Sequence, residues 1–161
     1  MTFRYCPECG SKLTMRPMGD DGDKPFCERC SVPYFDYVPV CIIAAVENKN
    51  GLVAIIKQNY VSKTNYVLVA GHISVGETAE EACAREVSEE LGVQVSDVHY
   101  IDSYFFSRGC MLMLGFHVHT DSEEFHCSSE VDVAEWATLA DALEKVIKKG
   151  AAHQLLERLY L

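Results

Sequence analysis

The stretch that most constrains this chain is residues 71–93, GHISVGETAEEACAREVSEELGV. Its second half carries start and stop signals at a helical separation. Thr78, with Glu81 three residues on, makes a capping box that satisfies free backbone N–H groups of a first turn. Gly92 stands where a left-handed stop belongs, so the spacing predicts a helix over 78–91. On that helix Glu86, Glu89 and Glu90 fall at i, i+3 and i+4, projecting from one face within about one turn. Carboxylates this close repel one another and resist ionisation unless a cation is present. Mg²⁺ or Mn²⁺ relieves the repulsion, because a hard dication takes a few carboxylate oxygens and keeps positions open for water and phosphate. The competing reading is a solvated acidic face, common in a chain with 24 acidic residues against 14 basic ones.

The whole pattern decides between them. Residues 71–93 read G-x5-E-x7-R-E-U-x-E-E-x-G-U, with U bulky and aliphatic. Gly71, Glu77, Arg85, Glu86, Val87, Glu89, Glu90, Gly92 and Val93 all fit. At average usage a chance match per window is rarer than about one in 10⁸. On these residues the sequence resembles the Nudix hydrolases. The resemblance implies an α/β fold, an α/β/α sandwich around a mixed sheet. It also implies hydrolysis of a nucleoside diphosphate linked to another group. Glu86 and Glu90 then look like the principal Mg²⁺ ligands, Glu89 a further ligand or the base, and the backbone carbonyl of Ala70 or Gly71 a further donor. Glu77 and Arg85 look like the pair that locks the loop onto the helix. Glu130 opens EVDVAEW, which resembles the Glu-x-x-x-Ala-x-Trp stretch beyond the box in many Nudix proteins, where that glutamate reaches the metals. Glu130 is therefore a further ligand and the other candidate base. Ser74 departs from the family, standing where many members have a glutamate.

Cysteine spacing defines a second feature. Cys6-Pro-Glu-Cys9 and Cys27-Glu-Arg-Cys30 are two C-x-x-C pairs separated by a polar, glycine-containing linker. Each pair puts two thiolates on one tight turn, and two such turns facing each other close a tetrahedral Zn²⁺ site. Gly10 supplies the backbone freedom that a knuckle needs. Four thiolates leave no open position, so the zinc is structural. Disulfides and a redox pair are the alternatives; the first conflicts with the lack of an export signal, the second with the doubling of the motif. Cys41, Cys83, Cys110 and Cys127 stand singly among apolar neighbours and are expected to be small core residues.

The rest divides into a zinc ribbon over 1–36 and a Nudix body over 37–161. Strands are expected over 40–46, 52–57, 66–70, 98–106, 111–119 and near Ala134, with helices over 139–148 and 151–161. A four-cysteine ribbon directly before the body resembles the NADH pyrophosphatase branch of the family. That branch cuts NAD(H) to mononucleotides and forms homodimers, so the resemblance allows a homodimer here. Only five residues precede Cys6, where the branch carries another domain. The branch's specificity signature after the box, S-Q-P-W-P-F-P-x-S, is replaced by SYFFSRGCM. Tyr104, Phe105 and Phe106 are candidates for stacking on a base, although aromatics on a strand are more often core. Arg108 at the hairpin tip is a candidate phosphate contact, although a lone surface arginine is usually just solvated, and Phe35 falls where the branch has a substrate-contacting tyrosine. His72 beside Gly71 is placed to donate to a phosphate, with plain solvent exposure as the alternative. His117 and His119 share a strand face, but no third metal ligand stands near them in the sequence.

Charge and hydropathy narrow the partners. A net charge of −10 disfavours broad capture of nucleic acid, and none is expected as a partner. The longest apolar run, around 38–46, falls far short of the ~20 residues a membrane span needs, which points to a cytoplasmic setting. The expected function is Mg²⁺-dependent hydrolysis of a nucleotide such as NAD(H) or a related dinucleotide. The alternative is a non-catalytic module that senses a nucleotide or docks RNA or protein on a Nudix body. A sensor has no need of an intact carboxylate set.

Overall fold

The computed structural model describes residues 3–107 and 109–160. They separate into two compact units, one running to Val38 and one from Pro39 onward. The first is a three-stranded antiparallel sheet of β1 (Thr14–Pro17), β2 (Asp23–Cys27) and β3 (Val32–Pro33), in that order. The polar linker between β1 and β2 closes in a single 3₁₀ turn, Gly19–Asp21. Among the described residues of this unit only Cys6, Pro25 and Cys27 are buried. That is little apolar burial for a unit of this size.

The second unit holds β4 (Val40–Asn48), β5 (Val53–Lys57), β6 (Val69–His72), α1 (Ala79–Leu91), β7 (Val95–Phe106), β8 (Met111–Thr120), β9 (Val133–Ala137), α2 (Leu139–Lys145) and α3 (Ala151–Tyr160). The strands lie in the order β7-β8-β4-β5-β9, with β6 also paired to β4. β4 runs parallel to β8, from Val40↔Leu112 to Asn48↔Thr120, while the other pairings are antiparallel. β4 is covered on both faces, which is why it reads as an unbroken apolar run. Ile42, Ala44 and Val46 pack with Phe116 and Val118 against Val87 and Leu91 of α1. Ile43 and Ala45 face the other way, toward Leu155 and Leu156 of α3 and Ala142 of α2. The mixed sheet between two helical layers is the α/β/α sandwich that the resemblance implies. Among the described residues no helix is long and apolar enough to cross a membrane.

Three expectations need correction. The strand expected over 66–70 is Val69–His72 instead, because β4 takes Cys41↔His72 through Ala44↔Val69 as its partners. Tyr66 and Val67 make only isolated bridges, to Val146 and Ile56. The helix expected over 139–148 ends at Lys145, since Val146 turns extended to meet Tyr66. Cys41 and Cys83 are buried, but Cys110 and Cys127 are exposed. Both lie in connecting segments, which run over the surface whatever their neighbours' hydropathy.

Candidate active site

The capping box forms: Glu81 N–H donates to Thr78 Oγ1 at 3.2 Å, and Thr78 N–H donates to Glu81 Oε2 at 2.8 Å. At the other end Gly92 adopts φ 64°. A Cβ at Gly92 would lie 2.3 Å from the carbonyl oxygen of His126. The chain beyond β8 docks here, His126 N–H on Leu91 O at 2.8 Å and Ser128 N–H on Glu90 O at 3.1 Å. This docking carries Glu130 to the end of α1, where its charge bears on Glu90.

Arg85 organises the loop before the helix. Its guanidinium donates to both carboxylate oxygens of Glu77 and, through Nη2, to His72 O at 3.1 Å. Ser74 N–H donates to Glu77 Oε2 at 2.9 Å, closing the loop from the other side. Chiefly through Arg85, Glu77 is held down at about 2. Nη1 of Arg85 also binds Glu86 Oε1 at 2.8 Å and Glu89 Oε2 at 3.0 Å. Glu86 lies against Gly71 of β6, where a Cβ would come within 2.0 Å of its carboxyl carbon. Ala70, opposite Ile43 in the same pairing, sits beside it. His72 is exposed, and its described role is as a carbonyl acceptor.

Glu90 is the anomaly. Its residue is 5% exposed, yet only Oε1 finds a donor, Gln58 Nε2 at 3.1 Å; Oε2 is buried with no partner. Burial, then the charges of Glu86, Glu130 and Glu89, push its carboxyl up to about 7 against the pull of Gln58. A buried oxygen without a donor costs the desolvation of that group. An all-oxygen donor set with one oxygen orphaned fits a hard dication. The α1 carboxylates do not close to within 4.8 Å of one another as a group of three, whereas two other clusters do. Glu86 and Glu89 are turned onto Arg85 instead.

The described residues add two neighbours that the sequence reading missed. Gln58, just past β5, is buried on Glu90. Tyr60 is exposed, and its hydroxyl is pushed up by partial burial and by Glu90, Glu130 and Glu86. Neither lies in a recognisable spacing; a polar side chain directly after an apolar strand is the only signal.

Of the three candidate aromatics near the end of β7, Tyr104, Phe105 and Phe106, only Phe105 lies on the α1 side, paired with Leu112 and exposed. Tyr104 belongs to the core facing α3, where its hydroxyl is buried without a partner. Phe106 follows Tyr104 by two and pairs with Met111, a member of that same packing. Strand alternation therefore takes Tyr104 and Phe106 away from the α1 carboxylates. Phe35 is exposed in the first unit. Arg108 lies outside the described residues.

In the first unit Cys6, Cys9, Cys27 and Cys30 bring their sulfurs within 4.8 Å of one another. Cys6–Cys30 and Cys9–Cys27 are 3.9 and 3.6 Å apart. A tetrahedron of Zn–S bonds has edges of about 3.8 Å, so the spacing fits that ion. Both knuckles close the same way, Gly10 N–H on Cys6 O and Ser31 N–H on Cys27 O, with Gly10 and Ser31 at positive φ.

The profile of the NUDIX domain matches residues 37–158. Two similar curated proteins are the NAD-capped RNA hydrolases NudC of Photobacterium profundum and Vibrio vulnificus. The first is 31% identical over 96% of this chain and 57% of its own length, the second 30% over 99% and 60%. The chain thus spans about three fifths of the relatives it matches. Among solved structures, a NUDIX hydrolase from Nitrosomonas europaea superposes with a TM-score of 0.79 over 97% of this chain and 89% of that one, at 19% identity. The NUDIX domain of Shewanella oneidensis NrtR, solved with ADP ribose, gives 0.65 over 83% and 91%, at 16% identity. These likenesses carry the fold, and the profile runs through nearly the whole second unit: the chain belongs to the NUDIX domain family.

Proposed function

We propose that this chain hydrolyses the phosphoric anhydride of a nucleoside diphosphate joined to a second group, with NAD(H) or a related dinucleotide as substrate. The observation that carries this reading is the orphaned Oε2 of Glu90, buried beneath the charges of Glu86, Glu89 and Glu130. Glu86 and Glu90 are the principal ligands for Mg²⁺ or Mn²⁺, with Glu89, Glu130 and a backbone carbonyl at Ala70 or Gly71 completing the set. When bound, such an ion neutralises diphosphate charge and acidifies an attacking water. Arg85 and Glu77 hold the loop so that Glu86 stays against Gly71. Glu89 or Glu130, both exposed, accepts the proton of the attacking water on a carboxylate oxygen. Phe105 stacks on a base of the substrate. The ribbon carries one structural zinc on Cys6, Cys9, Cys27 and Cys30.

The relatives' name adds an RNA 5′ end capped with NAD, whose anhydride is chemically the same. The acidity of the chain argues that such a substrate is recognised at the cap, with few contacts along the RNA. The test is a panel of NADH, NAD⁺, ADP-ribose, NAD-capped RNA and nucleoside triphosphates with Mg²⁺. AMP release from NADH, and a loss of at least about 10²-fold in Glu90→Gln, are expected. Turnover of triphosphates alone rejects the dinucleotide. No turnover of any of them, together with tight nucleotide binding, leaves the sensing module.

A further inference from the structure

The strand histidines His117 and His119 acquire a third partner in the fold. β4 and β8 run parallel with Glu47 opposite His119, and His117 lies two residues back on the same face. That face is the one packed by α3, away from α1. Ligand atoms of Glu47, His117 and His119 lie within 4.8 Å of one another. His117 Nε2 is 2.7 Å from Glu47 Oε2, and both side chains are less than one fifth exposed, 17% and 19%. The two imidazole rings stand 4.3 Å apart between centroids. Tyr160, the last residue of α3, donates its hydroxyl to Glu47 Oε2.

We infer that Glu47, His117 and His119 form a binding site for one dication of the zinc class, separate from the α1 carboxylates. Two imidazoles and one carboxylate are a donor set such ions use with a position left open, and imidazole favours them over Mg²⁺. Closing on the ion needs the Glu47–His117 separation to widen to about 3.3 Å, the edge of a tetrahedron of such bonds. Side-chain rotation supplies this while the strands stay in register. Tyr160 acts from the next shell, orienting Glu47.

The competing account is a plain hydrogen-bond network that fastens α3 to the sheet. It explains Glu47, His117 and Tyr160 but not His119. Among the described residues the His119 ring makes no hydrogen bond; it packs on the rings of His117 and His99. His99 is exposed and paired to Asp97 at 2.8 Å, so it stands at the rim. The network has no use for His119; the metal site does. An ion held there also stabilises the second unit by mass action, since the unfolded chain does not assemble the three donors.

The probe is Co²⁺, titrated into the full chain with zinc already on its cysteines and excess Mg²⁺ present. The wild-type protein is expected to take one equivalent with intense visible bands, no sulfur charge-transfer band and a raised Tm. In His119→Ala the affinity for that equivalent falls at least about tenfold, with Mg²⁺-dependent turnover unchanged. Absence of the bands in wild type, or equal affinity in the variant, overturns the proposal. Should His119→Ala not fold, side-chain NMR of the wild-type histidines decides. Zn²⁺ is expected to move the ring nitrogens of His117 and His119 and leave His126 and His153 in place. Unmoved His117 and His119 signals overturn it equally.

Discussion

The carboxylate of Glu86 fills the space that any side chain at position 71 would need: a Cβ on Gly71 would meet its Cδ at 2.0 Å and Oε1 at 2.1 Å. Glu86 cannot retreat freely, because Arg85 holds Oε1 from the other side. Gly71→Ala is therefore expected to displace the carboxylate proposed to bind the metal rather than to unfold the chain. A misplacement near 1 Å costs about 10²-fold in rate. Steady-state kinetics with varied Mg²⁺ check it: turnover drops and the Mg²⁺ requirement rises, while zinc content stays constant. Unchanged Mg²⁺ dependence overturns the placement of Glu86.

Glu90 gives a pH dependence whose sign is opposite to that of a salt-bridged acid. In the folded, metal-free chain its carboxyl sits at about 7, above the ordinary 4.5. Between these values the folded state holds a proton that the unfolded state has lost, so stability falls as pH rises through that window. In the proposed function Mg²⁺ binds the ionised form, which removes the penalty. The increment in Tm on adding Mg²⁺ is accordingly expected to be larger at pH 8 than at pH 5, and Glu90→Gln flattens the metal-free slope. An increment independent of pH goes against the assignment.

Arg85 and Glu77 behave in the ordinary direction. Glu77 is held at about 2, below 4.5, so its contribution is present above 4.5 and lost as pH falls toward 2. Arg85→Lys keeps the charge but cannot serve two Glu77 oxygens, Glu86, Glu89 and the His72 carbonyl together. Turnover is expected to fall about tenfold, with a lowered Tm at neutral pH and a smaller difference from wild type near pH 2. Thermal melts across pH check the convergence.

How much of this was legible in the sequence depends on how local the determining chemistry is. The limits of α1 follow from Thr78, Glu81 and Gly92, all of which act within one turn of themselves, and they came out as read. The cysteine knuckles are equally local. By contrast, β6 is displaced to Val69–His72 by its pairing with Cys41–Ala44, a choice made between strands. Gln58 reaches Glu90 across 32 positions, and Glu47 reaches His117 across 70. No spacing rule spans those distances. The aromatic run on β7 shows the intermediate case: alternation says that Phe105 differs in face from Tyr104 and Phe106, but only the register with β8 says which face is which.

The ribbon makes a prediction of its own. With only Cys6, Pro25 and Cys27 buried among its described residues, it has no apolar core to fall back on. Cys27→Ser is expected to lose the zinc proposed for the four cysteines and to melt the three-stranded sheet. The second unit has its own two cores and remains folded. Elemental analysis and limited proteolysis check both halves, with cleavage confined to the first 38 residues. Metal-free wild-type protein with an intact ribbon contradicts the zinc assignment.

Phe105 and Tyr104 separate substrate stacking from packing. Phe105 is 60% exposed on the α1 side, so its removal leaves the core untouched. A base stacked on it is worth about 1–3 kcal/mol, so Phe105→Ala is expected to raise KM for NADH at least about fivefold with kcat and Tm little changed. Tyr104 packs in the core beneath α3, where its ring crowds the place a Cβ on Gly115 would take, with its hydroxyl buried. Truncating a large buried ring costs about 3–5 kcal/mol, and Tyr104→Ala is expected near the low end or below because the residue is only partly buried. Its signature is a lowered Tm with KM preserved. If instead Tyr104→Ala raises KM and Phe105→Ala lowers Tm, the register of β7 on β8 is wrong by one residue, since a slip of one exchanges the two faces.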